Sequence, residues 1–386
     1  MEKLNNYLRI VACSGLVILT SACNQTPKGD GSLVVSDIDG QEFITCNFDA
    51  ITSKAQPKLS DFVEDFEIVR FENKDDAFFK PSAYIVTDNY IGVRQSGAPF
   101  LLFDKNGKLL NKVGEIGNGP GEYNVLYDQA INEKAGKIYL APFAGLNKVH
   151  EYNMDGSYVR SLTTPTNLAK ARVKAYDDGT VSVVHMPFTT EQSPFIAMTF
   201  DKNGDSISCL VPTESQRVNP FIDGSFRGFD YECISTQNTD AFDVRIINND
   251  TMFIYDSKAN KMLPRFVLNF GEMAEKPFAY ANELSNHLLC MVYGQDKVVV
   301  LVDKKARTTA SFTEIENDFL GNMPVSASFE KGYFIQTFEP AQLMEKLETY
   351  LASGNCPESE VKKLEDLYSS LHENDNNVMF IGKIKQ

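Results

Sequence analysis

Leu101-Leu102-Phe103-Asp104-Lys105-Asn106-Gly107 is followed by His150-Glu151-Tyr152-Asn153-Met154-Asp155-Gly156, and then by Met198-Thr199-Phe200-Asp201-Lys202-Asn203-Gly204. Each stretch is an apolar strand ending in an aromatic residue, a tight turn whose glycine can take positive φ, and the start of a return strand. The aromatic positions 103, 152 and 200 lie 49 and 48 residues apart. Weaker copies, Tyr255-Asp256-Ser257-Lys258 and Val302-Asp303-Lys304-Lys305, follow at spacings of 55 and 47. Between these turns the chain alternates apolar and polar residues in short runs broken by Asp, Asn and Gly, which is all-β patterning. A period near 48 residues with about four strands per unit predicts the blades of a β-propeller.

The sixth unit is interrupted. Leu343, Leu347 and Leu351, then Val361, Leu364, Leu367 and Leu371, recur at helical spacing. Gly354 can end the first helix and Pro357 suits the first turn of the second, so residues 340–371 read as an inserted helical hairpin. Phe380 lies 78 residues after Val302, and subtracting the 32-residue insert leaves 46, one more period. Six blades follow. Only six residues remain after Phe380, so the last blade lacks its outer strand; the unassigned run Phe66 to Glu72 can supply it and close the ring.

The 386 residues are 43% hydrophobic, 23% charged and 11% aromatic, a globular composition that excludes disorder, collagen and coiled coil. Acidic residues outnumber basic ones 52 to 37 with no basic block, so neither nucleic acid nor an anionic membrane surface is an expected partner. Lys3 and Arg9, the apolar run Ile10 to Leu19, and the small residues Thr20, Ser21 and Ala22 before Cys23 predict a signal peptide over 1–22. Cys23 is then expected to be acylated and to become the first residue of the mature chain. Cleavage removes Glu2, Lys3 and Arg9, a net +1, which takes the formal charge from −15 to −16. Residues 23–56 read as a tether and lead-in, and 57–386 as the propeller. The five cysteines beyond Cys23 are widely spaced and odd in number, so buried free thiols are expected, with a Cys209 to Cys233 bridge the alternative.

Ile116-Gly117-Asn118-Gly119-Pro120-Gly121-Glu122-Tyr123 after the first blade, Asn249-Asp250-Thr251 with Pro264-Arg265-Phe266 in the fourth, and Glu373-Asn374-Asp375-Asn376 before the last strand resemble one family. That family is the six-bladed β-propeller lipoproteins of Gram-negative gut anaerobes, similar to NHL-repeat and TolB-like propellers. The resemblance covers about residues 60 to 386 and implies fold and location: an exported protein held at the outer membrane, on its periplasmic or cell-surface side.

No motif dictates a reaction. The glycines at 117, 119 and 121 lack the following helix that a phosphate loop needs, and Pro120 removes a donor, so the run reads as a crossover between blades. Asp201 to Asp205 has its glycine at the wrong place for a calcium loop and reads as a hairpin turn. His150, His185, His287 and His372 are scattered and read as structural or surface residues; no metal site, catalytic residue or cofactor is assigned. Propeller ligands usually bind where loops frame the channel mouth. Arg94, Arg172 and Arg227, with Tyr231 as a stacking surface, are the candidate ligand-binding residues, suited to a carboxylated or sulfated ligand. The expected function is a lipid-anchored binding or scaffold module for a protein, peptide or glycan rather than an enzyme. The alternatives are a metal-dependent NHL-like lyase or lactonase, and a structural envelope component recruited through the helical hairpin.

Overall fold

At the quoted turns one acidic side chain organises each hairpin. Asp104 accepts the Asn106 and Lys108 amides at 2.9 and 3.0 Å, and Gly107 takes φ +83°. Asp201 accepts Asn203 and Asp205 at 2.8 and 2.9 Å, with Gly204 at φ +87°. The ladder shifts register beside Phe103, Tyr152 and Phe200, so each turn ends in a bulge placed at the aromatic. In the two weaker copies the aspartate remains but the turn differs. Asp256 and Asp303 accept two amides each, and Asn260 and Arg307, not glycine, take the left-handed conformation.

The computed structural model describes residues 31–143, 145–189, 193–246, 250–273, 275–294 and 297–386. They build a six-bladed β-propeller. Blade one is Pro81–Val86, Tyr90–Gln95, Phe100–Asp104 and Leu109–Val113. Blade two is Leu126–Asn132, Lys137–Pro142, Lys148–Asn153 and Tyr158–Thr163. Blade three is Arg172–Ala175, Val181–Val184, Ala197–Phe200 and Ser206–Leu210. Blade four starts with the short inner strand Cys233–Ile234 and continues through Phe242–Ile246, Thr251–Asp256 and Lys261–Asn269. Blade five is Phe278–Glu283, His287–Tyr293, Lys297–Asp303 and Thr308–Phe312. Blade six joins Phe329–Glu330, Tyr333–Phe338 and Val378–Lys383 to the early strand Glu67–Arg70. That closure pairs Ile68 with Phe380 and Val69 with Met379.

Packing follows the blades. Six apolar clusters fill the six gaps between neighbouring sheets, and Phe103, Tyr152, Phe200, Tyr255, Val302 and Phe380 are all buried. Aromatic and β-branched side chains fill a widening wedge well, which is why the repeat keeps a large residue there.

Helices α1 (Pro340–Ala352) and α2 (Glu358–Ser369) leave blade six between its second and third strands. Gly354 sits just past α1 at φ +73°, and Pro357 caps α2 from outside its first turn. Leu343, Leu347 and Leu364 are fully buried in the cluster between blades five and six.

Part of the stretch read as tether and lead-in folds. Leu33–Ile38 and Gln41–Asn47 form a hairpin around Asp39-Gly40, whose φ values of +56° and +79° make the tight turn. Its second strand runs parallel to the outer strand of blade four, Ile44 beside Phe266, extending that sheet to six strands. Alternation drives the addition, since Ile44 and Cys46 point into the cluster between blades four and five. Cys23 and Asn249 lie outside the described residues.

Candidate functional site at the channel mouth

The inner strands surround a central channel. We call upper the face on which each outer strand connects to the next inner strand. The short inner hairpin of blade six reaches across the axis. The Lys331 amide donates to Thr236 in blade four at 2.7 Å, while its ammonium lies 3.1 Å from Asp128 and donates to the Gln129 carbonyl of blade two at 2.5 Å. One residue of blade six touching blades two and four must sit across the axis.

Arg172, at the upper end of the inner strand of blade three, extends the network. Its Nε donates to the Cys233 carbonyl at 2.7 Å, its guanidinium stacks on Tyr127 at 4.9 Å, and Nη1 is 3.9 Å from Asp128. Burial alone would disfavour both charges, but the pairing prevails: Lys331 and Arg172 hold the Asp128 carboxyl below the usual range, and Asp128 raises Arg172. Tyr127 in turn hydrogen bonds Glu232, which also takes the Lys170 ammonium at 2.7 Å.

Arg94, near the upper end of the second strand of blade one, shares this field. Its neighbours in charge are Asp128, Arg172 and Glu330, and burial pulls its affinity for a proton down. Its Nε and Nη1 atoms are buried without a hydrogen-bond partner among the described residues. An unpaired buried guanidinium is costly, so this one stands as a vacant donor set. Glu330 faces the same narrow space; water reaches part of its surface, yet protein surrounds it and burial raises its carboxyl above the usual range. On the blade five side of the mouth, Phe278, Tyr280 and Tyr293 pack with centroids 5.8 to 6.2 Å apart, and Phe278 and Tyr293 remain exposed.

Two of the four expected ligand-binding residues therefore converge and two do not. Arg172 pairs with Asp128 at 3.9 Å, and Arg94 lies in the electrostatic field of both without bonding either. Arg227 is exposed on the connection between blades three and four, 3.3 Å from Asp230. The Tyr231 carbonyl accepts the Lys170 ammonium and its ring packs edge-on against Phe188, which points it away from the channel. Asp128, Glu330, Lys331 and Tyr127 were not singled out in the sequence, because nothing in a single strand marks a residue that will meet four others across an axis.

The remaining motifs are structural. Glu122 accepts the Gly119 amide at 2.7 Å, and a Cβ on Gly117 would collide with that carboxylate. Tyr123 takes the Phe100 amide at 2.8 Å, so the glycine run is a crossover staple. Asn376 and Asn377 hold the 71–80 connection through Ala77 and Phe79. His185 donates from Nε2 to the Phe195 carbonyl at 2.9 Å, and His150 contacts Ser161 at 3.0 Å. Cys209, Cys233, Cys290 and Cys356 are free thiols, with Cys209 exposed, so no bridge joins Cys209 to Cys233. Among the described residues no three of His, Cys, Asp or Glu converge as a metal-binding group, and no helix is long and apolar enough to cross a membrane.

Fold and channel define a six-bladed β-propeller with a polar, partly plugged axis and a mouth framed by loops. Residues 43–383 match the model of the family described as a domain of unknown function, DUF4934, and the chain belongs to that family. Among solved structures it is similar to a predicted exported protein, BF0058, from Bacteroides fragilis: 15% identity, TM-score 0.59, covering 89% of this chain and 99% of that one. A DUF4221 member from Bacteroides vulgatus aligns at 11% identity and TM-score 0.46 over 84% and 98% of the two chains. No curated protein matches the chain.

Proposed function

We propose that the protein is exported, held on a membrane by lipid on Cys23, and uses the upper mouth of its channel to bind an acidic glycan. The leader and the Thr20-Ser21-Ala22-Cys23 junction support export and anchoring, as does the description of BF0058 as exported. The observation that carries the binding reading is Arg94, whose buried donors have no protein partner beside Arg172 among the described residues. A carboxylate or sulfate can take two parallel hydrogen bonds from such a guanidinium. The exposed rings of Phe278 and Tyr293 offer apolar surface for a sugar face on the same mouth.

The test is calorimetric titration of the mature protein with uronic-acid and sulfated oligosaccharides against neutral ones. Arg94→Gln is expected to weaken binding of the acidic series by about 1.5 to 3 kcal/mol, on the order of 10- to 100-fold in Kd. Arg227→Gln is expected to leave it unchanged. Because Arg94→Gln also removes an unsatisfied buried charge, its thermal midpoint should hold or rise. Equal binding by Arg94→Gln and the parent would refute the site; binding of acidic peptides alone would replace glycan by peptide as the ligand class.

A further inference from the structure

Large apolar side chains are unevenly exposed on the two faces of the ring. At the lower face the exposed large apolar residues among the described ones are scattered, as with Ile38 at the N-terminal hairpin turn and Tyr158 and Ile207 at the start of outer strands, whereas the upper connections expose Phe78, Ile116, Val125, Val211 and Met273. The greatest concentration is on the connection from blade three to blade four. There Phe221–Ile222 and Ser225–Phe226 form a two-stranded hairpin around Asp223-Gly224, both at positive φ. Phe221, Ile222, Phe226 and Phe229 are all exposed, Phe229 by 72%. Their rings touch one another, with Phe226 5.6 Å from Phe221 and 5.8 Å from Phe229, and cover no core. The Phe229 and Tyr231 carbonyls fix the base of the projection by accepting the buried Lys170 ammonium.

The chain approaches the same face on the other side of blade four, where Thr309 of blade five donates to the Ser32 hydroxyl at 2.6 Å. The outer strand of blade four ends on the upper side at Asn269, Asn47 lies beside it, and Leu33 pairs with Cys46. The segment that leads back to Cys23 therefore leaves the described fold at the upper rim beside the gap between blades four and five. Ten residues separate Cys23 from Leu33, at most about 35 Å when fully extended.

We infer that the upper face at blades three and four docks on the lipid surface, with Phe221, Ile222, Phe226 and Phe229 inserted into it. The inference rests on the Cys23 anchor proposed above. A short tether leaving the upper rim holds that rim near the bilayer, and exposed aromatic and aliphatic side chains gain by moving into the headgroup boundary. Asp223 at the hairpin turn stays among the headgroups, which keeps the insertion shallow. Arg227 at the base is placed to meet lipid phosphate. Contact limited to this sector leaves the mouth open on the side of blades one and six.

The chain contains no Trp, so one introduced indole reports on its own surroundings. Phe229→Trp and, on the lower face, Lys202→Trp are each prepared in the full acylated chain and reconstituted in phosphatidylethanolamine and phosphatidylcholine vesicles with brominated acyl chains. Mass spectrometry of the Cys23 peptide establishes acylation first. The indole of Phe229→Trp is expected to shift to the blue and lose roughly half of its emission to the bromines, and that of Lys202→Trp to do neither. If the acylated Phe229→Trp chain stays as accessible to aqueous quencher as Lys202→Trp, the docking is overturned while the anchor stands. An unmodified Cys23 overturns the anchor and the docking with it. Shielding of the Phe229→Trp indole in native envelope membranes but not in pure lipid overturns the lipid occupant in favour of a protein.

Discussion

His185 shows how a single buried group ties this fold to pH. The ring is fully buried against Phe195, donates from Nε2 to a carbonyl and leaves Nδ1 to accept the Ala169 amide at 3.4 Å, so the neutral form suits both partners. Burial lowers its pKa to about 4, and burial does the same to His150. In the unfolded chain an imidazole takes its proton near about 6.5. Between those values the unfolded state binds more protons than the native one, so acid favours unfolding. The contribution is whole above pH ~6.5 and is lost as the pH falls toward 4, on the order of 3 kcal/mol for His185 alone. Denaturant unfolding followed from pH 7 to 4.5 should show His185→Gln less stable than the parent at pH 7 but with a shallower loss on acidification. Parallel curves for the two would remove His185 as the source of the slope.

At the scale of elements, the helical hairpin works as a lid. Leu343, Leu347 and Leu364 join Leu320, Met323 and Phe380 in one cluster; the Tyr350 hydroxyl donates to the Gly321 carbonyl at 2.9 Å, and Arg70 of the closing strand donates to Ser370 at 2.8 Å. Leu347→Ala removes a side chain with no exposed surface, so a loss of about 2 to 5 kcal/mol is expected, read as a lower midpoint with a single transition because the cavity opens into the core of blades five and six. A separate early transition would mean that the hairpin folds independently of the ring. Deleting 340–371 whole would uncover the same cluster, so a collapsed deletion variant would report packing before it reported partner recruitment. Both helices were readable because Leu343, Leu347, Leu364 and Leu367 repeat at 3 and 4 residues. The first three blade turns were readable because Asp and Gly keep fixed places, and the fourth and fifth were fainter because Asn260 and Arg307 take the left-handed position. The N-terminal hairpin was missed although Asp39-Gly40 between Ile38 and Phe43 carries its turn signal; polar neighbours on the exposed side masked the alternation. The site was half legible, since Arg94 and Arg172 stand at strand ends near the mouth, but Asp128 and Glu330 acquire meaning only when the ring brings their charges into one field with those two arginines.

The whole molecule is a ring held shut by one seam, and the seam is longer than the outer strand alone. Glu67 to Arg70 pairs with Val378 to Ile381, the Glu64 amide donates to the Lys383 carbonyl at 2.8 Å, the Lys383 amide donates to Asp65 at 2.8 Å, and the Lys385 amide donates to Phe62 at 2.9 Å. Phe62 and Val63 add side chains to the cluster between blades five and six, and Val69 and Phe71 to that between six and one. The hairpin at 33–47, by contrast, extends the edge of blade four and takes no part in that closure. Two truncations should therefore separate. A chain starting at Ile51 loses that edge and the cover over Phe266 and Leu268, and should keep a ring that unfolds in one transition at a somewhat lower denaturant midpoint. A chain starting at Glu72 loses the outer strand of blade six and exposes two sheet edges and two clusters at once, so it should lose the cooperative transition and associate. Scattering in solution measures the difference directly, as an unchanged radius for the first and an enlarged or aggregated species for the second. If the second truncation stays monomeric with the same unfolding slope as the first, the seam does not hold the ring, because that slope follows the surface exposed on unfolding.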